Sequence, residues 1–194
     1  MRLGISIFSV AVLGAVALFS TPSASLPQAE SYKIDPVHSN VIFRIKHMGA
    51  SNFYGRFNSV NGTFSVVDGG TGSVSVTIDA ASVDTNNDKR DGHLKSADFF
   101  SVEEFPQITF KSDALKHLGG AKYEAKGTLT LRGVSKEVTF EVEKVGAGEM
   151  KGVKLIGFEG TVTINRSDFG MKYGLGGPLG DEVKLIISVE AQAQ

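Results

Sequence analysis

Lys122–Glu143, KYEAKGTLTLRGVSKEVTFEVE, constrains the architecture more tightly than any other part of the chain. Tyr123, Ala125, Gly127, Leu129 and Leu131 alternate with Lys122, Glu124, Lys126, Thr128, Thr130 and Arg132. Gly133 starts a tight reversal, after which Val138, Phe140 and Val142 alternate with Glu137, Thr139, Glu141 and Glu143. Successive side chains of a strand point to opposite faces, so a period of two gives one dry face and one wet face. Strands of that kind build antiparallel sheets and barrels.

The same alternation extends in both directions. Towards the N-terminus, Tyr32 and Ile34 mark a short first strand, and Val41, Phe43, Ile45 and His47 share a face opposite Arg44 and Lys46. Ile42 is an apolar exception on the polar side. Met48–Ser51 turns the chain into a segment carrying Phe53, Tyr54, Phe57 and Phe64. Asp68–Gly72 is a hairpin signal that leads into Val74, Val76 and Ile78. Ile108 and Phe110 point inward with Thr109 and Lys111 outward, and Gly119-Gly120 makes the next turn. Beyond Gly146, Gly148 and Gly152, read as a loop, Ile156, Phe158, Gly160, Val162 and Ile164 form another inward row. Val183, Leu185, Ile187, Val189 and Ala191 form the last, with Ile186 the apolar exception outside. Eight or nine strands, mostly short turns and no βαβ spacing predict an all-β chain folded as a meandering antiparallel barrel of about eight strands. A β-sandwich is the alternative; long strands with polar outer faces favour the barrel.

Two stretches break the pattern. Ser82–Phe110 reads as a short helical insert, with Thr85 and Asp88 in the form of a helix start and polar residues from Asn86 to Lys95. Its apolar residues, Leu94, Phe99, Phe100, Val102 and Phe105, are bunched towards its end, as in a plug leaning on an open barrel. Pro106 stops any helix and opens the next strand. Arg90 and Asp91 read as an ion pair or cap near the rim. Arg166–Asp181 carries Gly170, Gly174, Gly176, Gly177 and Gly180, which predicts a mobile flap. Arg166 and Asp168, beside Phe169, are expected to steady it. The sequence leaves open which of the two segments is the gate.

Residues 1–25 read as a secretory signal peptide: Arg2, an apolar run from Leu3 to Phe19, then small residues at Ser23-Ala24-Ser25. The folded domain is expected to span residues 26–194, with the periplasm as its location and no stable membrane insertion once the signal is removed. The chain has no cysteine, so packing alone must hold it and a thiol-linked lipid anchor is excluded. Lys and Arg number 20 against 21 Asp and Glu, with no basic run, which argues against nucleic acid as a partner. A homodimer is compatible with this composition.

The inward rows are aliphatic and aromatic. An occupant of such an interior has to be mostly hydrocarbon. At roughly 0.8 kcal/mol per buried methylene, several prenyl units would gain on the order of 10 kcal/mol before ordering losses. The same side chains could instead fill the barrel as a dry core, since small barrels occur both ways. The candidate ligand-binding residues are Val41, Phe43, Ile45, His47 and Phe64, then Val76, Ile78, His93, Leu94, Phe99, Phe100 and Phe110. Leu129, Phe140, Phe158, Val162, Ile164, Leu185 and Ile187 complete the set. His47 could hydrogen-bond a head group, though a satisfied structural histidine is the commoner case, and His93 on the plug could do the same or fix the helix to the barrel rim. His38, His47, His93 and His117 lack the spacing of a zinc site, so no metal ligands are assigned. Asp35, His38 and Ser39 resemble part of a hydrolytic set without a nucleophile turn or an oxyanion hole, so no catalytic residue is assigned.

Tyr32-Lys33-Ile34-Asp35 through His38-Ser39, Val41-Ile42-Phe43 and Lys46-His47-Met48-Gly49 resemble the opening of the YceI family. Ser82-Val83-Asp84-Thr85, Arg90-Asp91, His93-Leu94 and Ser96 to Phe100 resemble it too. So do Phe105 to Phe110, Gly127 to Leu131 with Gly133-Val134, and Glu182 to Val189. The resemblance covers about Ser31 to Glu190. It implies a lipocalin-like barrel exported to the bacterial periplasm that binds polyisoprenoid chains, including isoprenoid quinones, without a cofactor or a catalytic mechanism. The function expected is storage, sequestration or transport of such a lipid across the periplasm. The alternatives are a carrier of another long-chain amphiphile such as a fatty acid or fatty amide, a hydrolase or isomerase of small apolar substrates, and a filled barrel that displays a loop to a partner.

Overall fold

A computed structural model describes residues 29–67 and 71–194. The signal-peptide reading and Asp68-Gly69-Gly70 of the hairpin signal lie outside the described residues. The strands are β1 (Glu30–Ile34), β2 (Asn40–His47), β3 (Ser51–Phe57), β4 (Val60–Val66), β5 (Thr71–Asp79), β6 (Val83–Asp84), β7 (Gln107–Gly119), β8 (Lys122–Leu131), β9 (Val134–Met150), β10 (Val153–Asn165) and β11 (Leu179–Ala193). The helix α1 (Asp88–Lys95) stands between β6 and β7.

These segments form eight antiparallel courses that close into a barrel. β1 and β2 make one bent course: β1 pairs with β4 and β2 with β3, while both pair with β11 and so shut the ring. β3 and β4 make the next course, β5 the third, and β7 to β11 meander through the rest. Turn chemistry fixes the register. Arg132 (φ 51°) and Gly133 (φ 71°) are both left-handed, the two-residue reversal whose twist suits a hairpin. Lys151 (φ 53°) and Gly152 (φ 82°) do the same between β9 and β10. β9 therefore runs straight through Gly146 and Gly148, which are strand residues rather than a loop. The register there absorbs one extra residue, Val145, as a bulge opposite Gly157 and Phe158. The two outward apolar exceptions, Ile42 and Ile186, are cross-strand partners on adjacent strands and cover each other.

The bend between β1 and β2 is held by Asp35, His38 and Ser39. The Asp35 carboxylate accepts the Val37 N–H at 2.8 Å, lies 3.0 Å from His38 Nδ1, and accepts from Gln192 Nε2 at 3.2 Å. Ser39 Oγ donates to the Glu190 carbonyl at 3.2 Å and accepts the Glu190 N–H at 3.1 Å. The would-be hydrolytic set is thus a strand-to-strand clamp.

One end of the barrel is sealed by rings. Tyr32 stacks on Phe64 at 5.4 Å, and Phe158 meets Phe64 at 5.5 Å and Tyr123 at 5.4 Å, both edge-on. Burial, then the bond its hydroxyl donates to Glu30 at 2.5 Å, pushes Tyr32 up to about 12. Because the folded value lies above the usual 10, the phenol's contribution is intact below pH 10 and is lost as pH rises towards 12. Thermal melts should therefore show a loss on the order of 2–3 kcal/mol across that window that is absent in Tyr32→Phe. Parallel curves for the two proteins would refute this account of the floor.

Candidate functional site

Between the aromatic floor and the helical plug lies a cavity of about 490 Å³, within the range of small-molecule pockets. All the candidate ligand-binding residues line it, contributed by strands on every side and by the plug. Val41 and Phe43 of β2, Leu129 of β8 and Ile164 of β10 are buried in its wall, whereas Phe140 and Val162 are half-buried. The side chains do not meet across the middle.

The plug is positioned by polar bonds that differ from the expected ones. Asn87, not Thr85, caps α1, its side chain accepting the Arg90 N–H at 3.0 Å. Thr85 cannot cap because its hydroxyl already bonds Asp91 and accepts from Arg90 Nε at 2.8 Å. Arg90 and Asp91 do not pair with each other; both grip Thr85, Arg90 also donating to its carbonyl at 2.7 Å. The Arg90 guanidinium then lies 4.4 Å from the Phe53 ring centre, a cation over an aromatic face at the cavity lip. Phe100 drops onto Phe57 edge-on at 5.3 Å, closing the barrel from above.

The glycine-rich segment is more built than a flap over its first part. Arg166 to Phe169 form a 3₁₀ turn in which Arg166 and Phe169 are each 2% exposed. The Arg166 guanidinium donates to the carbonyls of Gly180 (2.7 Å), Met171 (3.0 Å) and Leu179 (3.4 Å). Asp168 is not its partner. Asp181 takes that place in the loop, accepting the Ser167 N–H at 2.9 Å and hydroxyl at 2.7 Å, and these bonds hold its carboxyl below the usual range.

Polar groups gather at the plug end of the cavity. His93 Nε2 lies 2.9 Å from Asp98, and its ring is edge-on to Phe99 at 5.0 Å and Tyr173 at 4.8 Å. His47 is exposed at the lip and its ring has no hydrogen-bond partner among the described residues, so the ring is available to a ligand. Sequence reasoning left Phe53, Phe57 and Tyr173 out of the site. Phe53 and Phe57 could have been found by parity, since they share a face of β3 and face Ile45 and Val41 in register. Tyr173 had no such signal, because it sits in an irregular loop.

The site defines a class: a small closed β-barrel enclosing a largely apolar chamber with its histidines and arginines at one end. The YceI-like domain model matches residues 32–191, and the chain belongs to the YceI family. A UPF0312 protein of Pseudomonas aeruginosa is 43% identical over 94% of this chain and 97% of its own length. Among solved structures, BcnA of Burkholderia cenocepacia superposes with a TM-score of 0.74 at 28% identity, covering 81% of this chain and 98% of that one. A polyisoprenoid-binding domain from Saccharophagus degradans, implicated in plant cell wall breakdown, shares the fold at 17% identity, with a TM-score of 0.67 over 84% and 98% of the two chains.

Proposed function

We propose that this protein binds the chain of a polyisoprenoid or isoprenoid quinone inside the barrel and stores, sequesters or ferries it through the periplasm. The observation that carries this reading is the chamber itself, which is walled mostly by aliphatic and aromatic side chains and shut by rings at one end, with its histidines and arginines at the other. Family membership and the polyisoprenoid-binding relative support it. No water-soluble substrate would gain by entering such walls, whereas each buried methylene contributes roughly 0.8 kcal/mol. The reading of residues 1–25 as an export signal supports a periplasmic setting for this activity.

Native mass spectrometry of the protein purified gently from membranes, with organic extraction of the same sample, tests this. A prenyl lipid should be recovered. Recovery of only acyl lipids would move the ligand to another amphiphile, and an empty protein that also refuses added quinone would overturn the reading. His47→Ala should weaken a short-tailed ubiquinone about 3- to 10-fold by removing a head-group hydrogen bond, and leave a headless prenyl hydrocarbon unaffected. Equal losses for both ligands would count against a head-group role.

A further inference from the structure

The wall of the barrel has an unpaired seam in its side. β9 and β10 are paired from Val153 and Met150 as far as Gly160 and Val142, and there the ladder stops. Both strands continue. β10 runs on through residues 161–165 and remains bonded to β11, while residues 134–141 of β9 remain bonded to β8. The facing edges of the two stretches have no cross-strand partner in each other. At the vertex the strands approach so closely that a Cβ on Gly160 would lie 2.7 Å from Val142 Cγ1 and 2.9 Å from the Glu141 carbonyl.

Three observations set the seam against the chamber. Val138, Phe140 and Val162, which line the chamber on either side of it, are only half-buried. Lys136 shares the inner face of β9, as the register partner of Leu129, yet it is exposed. Finally, a surface groove at the vertex shares Val142, Glu159 and Ile187 with the chamber lining. The far end of the seam is framed by Arg132 in the β8–β9 turn. Its Nη1 donates to the Gly170 carbonyl beyond β10 at 2.6 Å, and its Nη2 to Ala97 of the plug at 2.7 Å.

We propose that this seam is a window that passes the ligand's chain, with any length beyond the chamber's capacity leaving between β9 and β10. The inference rests on the prenyl-binding reading. A chamber of about 490 Å³ closed by rings at its floor can enclose only a limited length of chain. The plug end is a poor exit, because Phe99 and Phe100 fill it and Arg132 ties it to the loop after β10. The seam is edged by side chains that are only partly packed against the core. Its half-buried valines and phenylalanine offer an apolar track through the wall.

The chain contains no cysteine, so Thr163→Cys on the exposed face of β10 can be labelled with a bulky maleimide beside the window. Thr139→Cys on the facing edge serves as a second site should the first adduct not fold, and Met48→Cys on the exposed plug-end turn is the control. Uptake of long-tailed and short-tailed ubiquinone from phosphatidylcholine vesicles is then followed. The window adducts should slow long-tailed uptake by about tenfold or more and spare the short-tailed quinone, while the Met48 adduct changes neither. A window adduct that loads long-tailed quinone as fast as unlabelled protein, or a Met48 adduct that is the one to slow it, overturns the proposal. An unlabelled protein that takes up neither quinone refutes the prenyl-binding reading instead.

Discussion

Phe140→Glu is expected to abolish prenyl-quinone binding while the barrel stays folded. Phe140 lines the chamber from β9 and tilts against Phe110 at 5.4 Å, but it is only half-buried. A carboxylate there keeps contact with water in the empty protein and is tolerated. Entry of a hydrocarbon chain would strip that water, and removing a charge from water without a partner costs several kcal/mol. The loss in affinity should therefore be at least about 100-fold, or roughly 2.7 kcal/mol, measured by titration with a short-tailed ubiquinone. Phe140→Leu should lose far less. Phe43 is a worse place for the charge. It is 8% exposed, and its ring tip lies 2.3 Å from where a Cβ of Gly55 would stand, so a carboxylate there attacks the fold itself. Unimpaired binding in a folded Phe140→Glu would mean that the ligand does not occupy the chamber.

The barrel was legible because its evidence is a period of two repeated along almost every strand. Even the apparent errors in that pattern, Ile42 and Ile186, resolve into a cross-strand pair once the register is known. What misled was local chemistry without its partners. Thr85 has the form of a cap, but Asp91 and Arg90 take its hydroxyl first. Gly146 and Gly148 look like a turn, yet only Lys151 and Gly152 have the positive φ pair that reverses the chain. Asp168 is the acid next to Arg166 in sequence, while Asp181 is the one that organises the loop. The candidate residues were found because a wall residue and a core residue carry the same apolar signature. For that reason the sequence left hollow and filled barrels undecided, since only the cross-barrel distance separates them. The seam left no trace at all, because alternation reports which way side chains point and not whether backbone edges are paired.

Arg166→Ala is expected to cost about 3–5 kcal/mol of stability, lowering the melting temperature by roughly 10 °C. The guanidinium is 2% exposed and is the donor for three carbonyls, at Gly180, Met171 and Leu179. Burial lowers its pKa, opposed by the nearby Asp181 carboxylate, yet five N–H donors on a delocalised cation keep it charged. Truncation leaves those carbonyls without a donor and opens a space beside Phe169 and Met171, both buried in the same cluster. Arg166→Lys should recover less than half of the loss, since one ammonium cannot reach carbonyls set on different sides of a planar fork. The loop that Arg166 holds also supplies Tyr173, Pro178 and Leu179 to the chamber lip and receives the Arg132 bond at Gly170. Weakening it should therefore also speed release of bound quinone, through a lip that no longer keeps its shape. A melting temperature within about 1 °C of the parent, measured by circular dichroism, would show that the three bonds do not anchor the segment.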